Sequence, residues 1–302
     1  MKKFLLRLVI VISIVLIIDR ALALIVDKFY KTATTTDEYK LNFVTYKMNA
    51  QVVFMGSSRC HHHYVPKILE DSLKKSVYNA GLWGMRNIYF QYGLLNNILE
   101  RYTPQTIFLE IHPIDFLKTP YSDLTSVSNL SPFINQSTGV NDVLKEGKYF
   151  YKDELSHIYR YNSLLPNLIL GNIFNRSNEN DKGLKPLYGE LNISNGILTP
   201  ERFNFPVDLN RVRYLQAFID KCKDKKITLV FLFSPMYAVD NINYLQTLEA
   251  LAKKNKIDFL NYYKLEGITG KKEYFYDFGH LNIAGAQRYS AMIAPKLKKY
   301  IR

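Results

Sequence analysis

The chain has 302 residues, enough for one large domain or two small ones, and 47% of them are apolar, which excludes wholesale disorder. The formal net charge is +13, a balance that suits an anionic partner such as nucleic acid, a membrane surface or an acidic polymer. No RNP, zinc-finger or helix-turn-helix pattern accompanies the charge, so nucleic acid is not an expected partner. Two cysteines, Cys60 and Cys222, are too few for a disulfide framework and form no CxxC motif. One bond between them stays open.

The N-terminus is the most readable segment. Lys2, Lys3 and Arg7 precede LVIVISIVLII (8–18), an uninterrupted apolar run. Asp19-Arg20 breaks the run and ALALIV resumes it, so residues 4–26 approach the length needed to span a bilayer. Ala21-Leu22-Ala23 resembles a signal cleavage site, but the charges before it and the apolar residues after it fit poorly. The expectation is an uncleaved membrane anchor over residues 1–27, its basic flank cytoplasmic and the rest of the chain on the periplasmic or extracellular face. Residues 28–50 read as a connector.

QVVFMG (51–56) reads as a buried strand ending at glycine. A helix is predicted over 65–74, a strand at SVYNAG (76–81), a helix over 88–102 stopped by Pro104, and a strand at TIFLEI (106–111). From 112 to about 205 the texture turns rich in Asn, Ser, Tyr and Gly, with helical stretches at 140–147 and 153–170. This reads as an inserted cap within a domain of 51–302. Such insertions often line binding sites. Regular alternation then returns: a helix capped by Asp208 with Val212, Leu215, Ile219 and Cys222 on one face, a strand at 227–235, a helix through Ile242, Leu245, Leu248 and Leu251, a strand at 257–262, and a closing helix after DFGHLN. Strands alternating with helices predict an α/β fold, a parallel sheet with helices on both faces, whose ligands bind at the carboxyl ends of the strands.

Ser58 lies just past the first strand, where it is either a nucleophile beside free backbone N–H groups or, with Ser57, a helix cap. Asp277 and His280 stand three apart, a spacing that lets the carboxylate hold one imidazole nitrogen while the other faces a serine. Asp-x-x-His alone is weak. Paired with Gly-x-Ser at the first strand it is much stronger.

Gly56-Ser57-Ser58, Asn79-Ala80-Gly81-Leu82-Trp83-Gly84 and Asp277-Phe278-Gly279-His280 resemble blocks I, II and V of the SGNH (GDSL-type) hydrolases, over roughly residues 50–111 and 208–300. The resemblance implies a flavodoxin-like three-layer sandwich with a five-stranded parallel sheet. It also implies a Ser58–His280–Asp277 triad, and an oxyanion hole from the N–H groups of Gly84 and Ser58. Two positions depart from the pattern. Ser57 replaces the usual Asp of block I. The block III Gly-x-Asn-Asp is absent where the chain reads EIHPIDF, which removes the oxyanion-hole Asn.

The anchor and the resemblance together are similar to the accessory proteins of cell-envelope acylation, which work beside a membrane-bound O-acyltransferase. They imply an esterase or O-acyltransferase acting through a Ser58 acyl-enzyme on acyl, chiefly acetyl, groups of an envelope or exported polysaccharide. The alternative is an impaired module that binds glycan or the acyltransferase partner. No cofactor is expected.

Three consecutive histidines cannot converge from one helix or strand, so His61, His62 and His63 form a poor metal set. They, with Arg59, Asn79, Trp83 and His112, are candidate substrate contacts. His112 is also a candidate substitute near the missing block III.

Overall fold

The computed structural model describes residues 1–33, 37–84, 87–118, 124–162, 164–173, 181–192, 206–237 and 245–301. Five strands, β1 (Val52–Met55), β2 (Val77–Asn79), β3 (Thr106–Glu110), β4 (Thr228–Phe233) and β5 (Asp258–Asn261), form one sheet in the order β2-β1-β3-β4-β5. All four pairings are parallel, with Phe54 opposite Phe108 and Phe108 opposite Val230. The helices are α1 (Lys2–Thr32), α2 (Asp37–Tyr46), α3 (Ser58–His63), α4 (Pro66–Leu73), α5 (Ile88–Leu99), α6 (Thr138–Glu146), α7 (Phe150–Leu155), α8 (Leu165–Ile173), α9 (Leu209–Asp224), α10 (Leu245–Asn255) and α11 (Ile283–Leu297).

Side chains alternate across a strand, so the sheet divides the core into two layers. Val53, Met55, Ile107, Leu109 and Phe231 face a cluster built with α2, α5, α6, α9 and α10. Val52, Phe54, Phe108, Val230 and Leu232 face the other, built with α4 and α11 and closed by Tyr64. β1 and β3 are buried at every position, and strands buried on both faces read as apolar runs rather than as alternation. Cys60 and Cys222 belong to opposite layers and both are free thiols.

Asn87, Asp208 and Asn282 cap α5, α9 and α11 with their side-chain oxygens, as short polar side chains at helix starts do. The predicted helix over 153–170 is instead three pieces: α7, a 3-10 turn at Ile158–Tyr161, and α8. Pro166 accounts for the last break, since its ring suits the first turn of a helix and not its interior. Ile242, expected on α10, lies outside the described residues.

The segment read as a connector is partly helical. Leu41 and Val44 of α2, with Met48 and Ala50 beyond it, enter the first core layer. The outer end of α1 also packs onto the domain. Tyr30 is buried with its ring edge-on to Phe133 and tilted on Tyr161, and Tyr161 donates to Asp27 at 2.8 Å.

Candidate active site

The first turn after β1 places the central side chain. Gly56 has φ +147, and a Cβ there would come within 2.8 Å of Glu110 O and 2.9 Å of Cys60 Cβ. Only glycine lets β1 run this close to β3 before the chain turns. α3 then begins at Ser58. Ser57 makes no side-chain cap bond. Ser58 Oγ lies 2.8 Å from His280 Nε2, so the hydroxyl points at the imidazole.

His280 comes from the loop before α11. Its Nδ1 is 2.9 Å from both oxygens of Asp277, whose Oδ1 also accepts the N–H groups of Gly279 and His280 at 2.8 Å each. Burial opposes ionisation of Asp277. The bond to His280, the attraction to that ring and the two backbone donors outweigh it and hold the carboxyl below its usual range. Because a carboxylate only accepts, Nδ1 carries the proton, and Nε2 is left to accept from Ser58.

A second network, which the sequence did not reveal, braces these residues from behind. Arg59 Nε donates to Glu110 Oε1 at 3.0 Å, its Nη1 to Gly279 O at 3.3 Å, and its Nη2 to the carbonyl and hydroxyl of Ser234. Glu110 Oε1 accepts the Ser234 N–H at 3.1 Å and hydroxyl at 2.7 Å, and Oε2 accepts from Tyr64. His63 Nε2 accepts the Leu281 N–H at 2.9 Å. Its Nδ1 therefore donates, to Ser234 Oγ at 2.8 Å. Desolvation, reinforced by the Arg59 charge, holds His63 neutral, its pKa well below the ordinary value.

Arg59 is thus not a contact for an anionic substrate: it is buried, and both its arms and its Nε are spent inside the protein. His63 is likewise a brace. The only signals in the sequence were a glutamate ending an apolar strand and a serine ending another.

Asn79 is also structural. It is fully buried, donates to Cys60 O at 2.7 Å and Tyr64 O at 2.9 Å, and accepts the Gly81 N–H at 3.0 Å. It ties the β2 loop to α3. Gly81 is pressed against the same helix, where an added Cβ would sit 2.4 Å from His61 N. His61 Nδ1 lies 2.7 Å from Gly81 O and 2.8 Å from Lys40 Nζ, and Lys40 of α2 donates to the carbonyls of Gly81 and Gly183. Desolvation, then the Lys40 charge, lowers His61 to about 2. The three histidines therefore point three ways, and among the described residues no group of three His, Cys, Asp or Glu could hold a metal.

His62 and Trp83 are the candidate contacts left beside the relay. His62 Nδ1 donates to Lys185 O at 2.6 Å, and its buried Nε2 has no hydrogen-bond partner among the described residues. Desolvation is the first cause of its lowered pKa, about 4. Trp83 is 51% exposed, stacks on His280 with ring centres 5.7 Å apart, and meets the His62 ring edge-on at 5.3 Å. Gly84 follows it, exposed, with φ +71. His112, half-buried beyond β3, sets its ring edge-on to Phe233. Ile111, beside it, is buried and gives its N–H to Leu232 O at 2.9 Å.

Fold and site together define an α/β protein with a Ser–His–Asp hydrogen-bonded chain where β1 and β3 diverge to opposite sides of the strand order, the usual ligand position in open α/β sheets. No family model and no curated protein matches the chain. Among solved structures it is similar to the lipase/acylhydrolase from Enterococcus faecalis, with 9% identity and TM-score 0.39, covering 83% of this chain and 96% of that one. It is also similar to the acetyl xylan esterase AlAXEase, with 12% identity and TM-score 0.39, covering 83% of this chain and 99% of that one. A protein from Desulfitobacterium hafniense ascribed to the lipolytic G-D-S-L family is similar at 9% identity and TM-score 0.40, covering 82% of this chain and 99% of that one.

Proposed function

We propose that the protein is a membrane-anchored serine esterase or O-acyltransferase of SGNH type, acting on acyl groups of a cell-envelope or exported polysaccharide. The observation that carries this reading is the unbroken relay from Ser58 Oγ through His280 to Asp277. Ser58 gives its proton to His280 Nε2 as Oγ bonds to the acyl carbon. The alkoxide leaving group takes that proton, and an acyl-Ser58 ester remains. Water or a sugar hydroxyl then attacks the ester, loses its proton to His280, and Ser58 Oγ departs with that proton restored. Asp277 stays ionised and steadies the imidazolium formed in each half.

The acetyl xylan esterase likeness and the exposed Trp83 face favour a carbohydrate ester, since an indole face stacks on the apolar side of a sugar ring. The oxyanion donors we assign to this step are the N–H groups of Ser58 and Gly84. Transfer, rather than hydrolysis, requires that an acceptor hydroxyl occupy the place of water, and a membrane-bound O-acyltransferase is the partner we assign as the source of the acyl group.

α1 is 31 residues long and apolar enough to cross a membrane. Removal of residues up to Ala23 would strip Asp19 from the Ser156 hydroxyl and the His157 and Ile158 N–H groups it accepts. This favours an uncleaved anchor.

The test is labelling of the full chain in detergent with a fluorophosphonate, followed by mass spectrometry of the adduct. An adduct on Ser58 that is lost in His280→Ala supports an activated nucleophile. A folded chain that takes no label on Ser58, yet still binds glycan, would favour the binding module instead.

A further inference from the structure

The cap holds α1 from Asp19 outward to Thr32, and the contact farthest from the domain end, at residues 19–20, carries a consequence for the cap. Arg20 donates to Leu155 O and Glu154 O at 3.2 Å each, and Asp19 accepts from Ser156 Oγ at 2.6 Å, His157 N at 2.8 Å and Ile158 N at 3.4 Å. The end of α7 is therefore fastened to residues 19–20 of α1. A hydrocarbon layer of about 30 Å needs about 20 helical residues at about 1.5 Å each. Counted from Phe4, the first residue after Lys2-Lys3, the layer ends near Ala23. Asp19 and Arg20 then stand about one helical turn inside its outer edge, where a charge is costly unless paired. They are paired, with each other at 2.5 Å and with the cap backbone.

The face of α7 left over matches that depth. Tyr151 and Leu155 are four apart, on one side of the helix, and are 75% and 72% exposed. Exposed Leu22, Leu24, Ile25 and Phe29 continue the apolar surface on α1 itself. Exposed Lys148 and Lys152 supply the basic charge; of the two acids on α7, Asp153 is buried and Glu154 is engaged by Asn135 and Arg160. Tyrosine, leucine and lysine together are the composition of a surface lying in the headgroup region.

We infer that α7 is a membrane foot: Tyr151 and Leu155 sit in the lipid interface beside α1, held there by Asp19 and Arg20. The occupant of this face is lipid. The inference rests on α1 crossing the bilayer. The foot and α1 then fix the catalytic domain as one body over the membrane, with α2, whose Lys40 reaches Gly81 O, leading from the anchor to the site.

The test uses the full chain in nanodiscs of three parts phosphatidylcholine to one part phosphatidylglycerol. Single nitroxide labels go on Leu155→Cys, Tyr151→Cys, Val11→Cys and Lys67→Cys, since the native cysteines are buried. Lys67 lies on α4, across the sheet from α2 and the docked end of α1, and serves as the water reference. The ratio of collision with oxygen to collision with a water-soluble nickel chelate is expected to be several-fold higher at 151 and 155 than at 67. Ratios at both sites equal to that at 67, with Val11 in lipid, would overturn the foot and leave the anchor standing. A water-like ratio at Val11 would overturn the anchor, and the foot with it.

Discussion

Arg59 donates to the carbonyl of Gly279, so the residue after Ser58 grips the residue before His280. Four residues on, His63 holds the N–H of Leu281, the residue after His280. The helix that carries the hydroxyl thus brackets the imidazole on both sides, and Glu110 and Ser234 lock the bracket to β3 and β4. The Ser58 hydroxyl and the His280 imidazole form one unit although they lie on elements far apart in the chain.

Removing Arg59 leaves Glu110 charged, buried and without its cation. Such a loss costs about 3–5 kcal/mol, so Arg59→Ala should shift urea unfolding strongly to lower denaturant. Arg59→Lys keeps the charge and loses the fork that reaches Gly279 and Ser234. It is expected to stay folded, with kcat reduced more than KM is raised, as measured on an acetyl ester. Unchanged kcat in a folded Arg59→Lys would sever the brace from the relay.

Ser58→Ala should lower acetyl-ester turnover by about 10³-fold or more with an unchanged melting temperature. His280→Ala should do the same, and the double substitution should cost little beyond either single one, because the two act as a unit. Additive losses would show that the 2.8 Å contact is not used in catalysis.

Gly81 and Gly84 separate packing from backbone freedom. A methyl at Gly81 would meet the backbone of His61 at 2.4 Å and Cys60 Cβ at 2.6 Å, whereas among the described residues nothing lies within 4 Å at Gly84. Gly81→Ala should therefore destabilise by several kcal/mol, as overpacking against backbone does. Gly84→Ala strains only the φ of +71, for about 1 kcal/mol. Thermal melts of the two variants check the ranking, and equal losses would contradict it.

The buried histidines give stability a pH sign. His61 is held to about 2, His62 to about 4 and His63 well below its ordinary value, all chiefly by desolvation. In the unfolded chain they protonate near 6.5. Between about 6.5 and about 4 the unfolded state binds more protons, so the stability is fully present above 6.5 and is lost as pH falls. Each histidine contributes up to about 1.4 kcal/mol per pH unit. Asp277, whose carboxyl is held below its usual range, adds a further loss only at more acid pH. Urea unfolding from pH 7 to 4.5 is expected to show a steep fall, shallower by about one histidine in His62→Asn. A flat profile would mean these rings are charged in the native protein.

Hydrophobic periodicity and chain order are local properties, and they pointed to alternating strands and helices in an α/β plan with a parallel sheet; the five-stranded three-layer form and the pairing of Ser58 with Asp277 and His280 came from the resemblance that the Gly-x-Ser and Asp-x-x-His motifs carry. A strand buried on both faces must be apolar throughout, and Asp-x-x-His closes its own hydrogen bond within one turn. What tertiary structure decided are the partners of polar groups. Arg59 could be read as a substrate contact until Glu110, Ser234 and Gly279 were seen to take every arm. Asn79 belongs to α3 only because β2 lies beside β1. α2 and the outer end of α1 join the core because Leu41, Val44 and Tyr30 find a layer to enter. A buried donor must find an acceptor, but which one depends on a chain fold that brings together residues from distant stretches, and no spacing along the sequence encodes that.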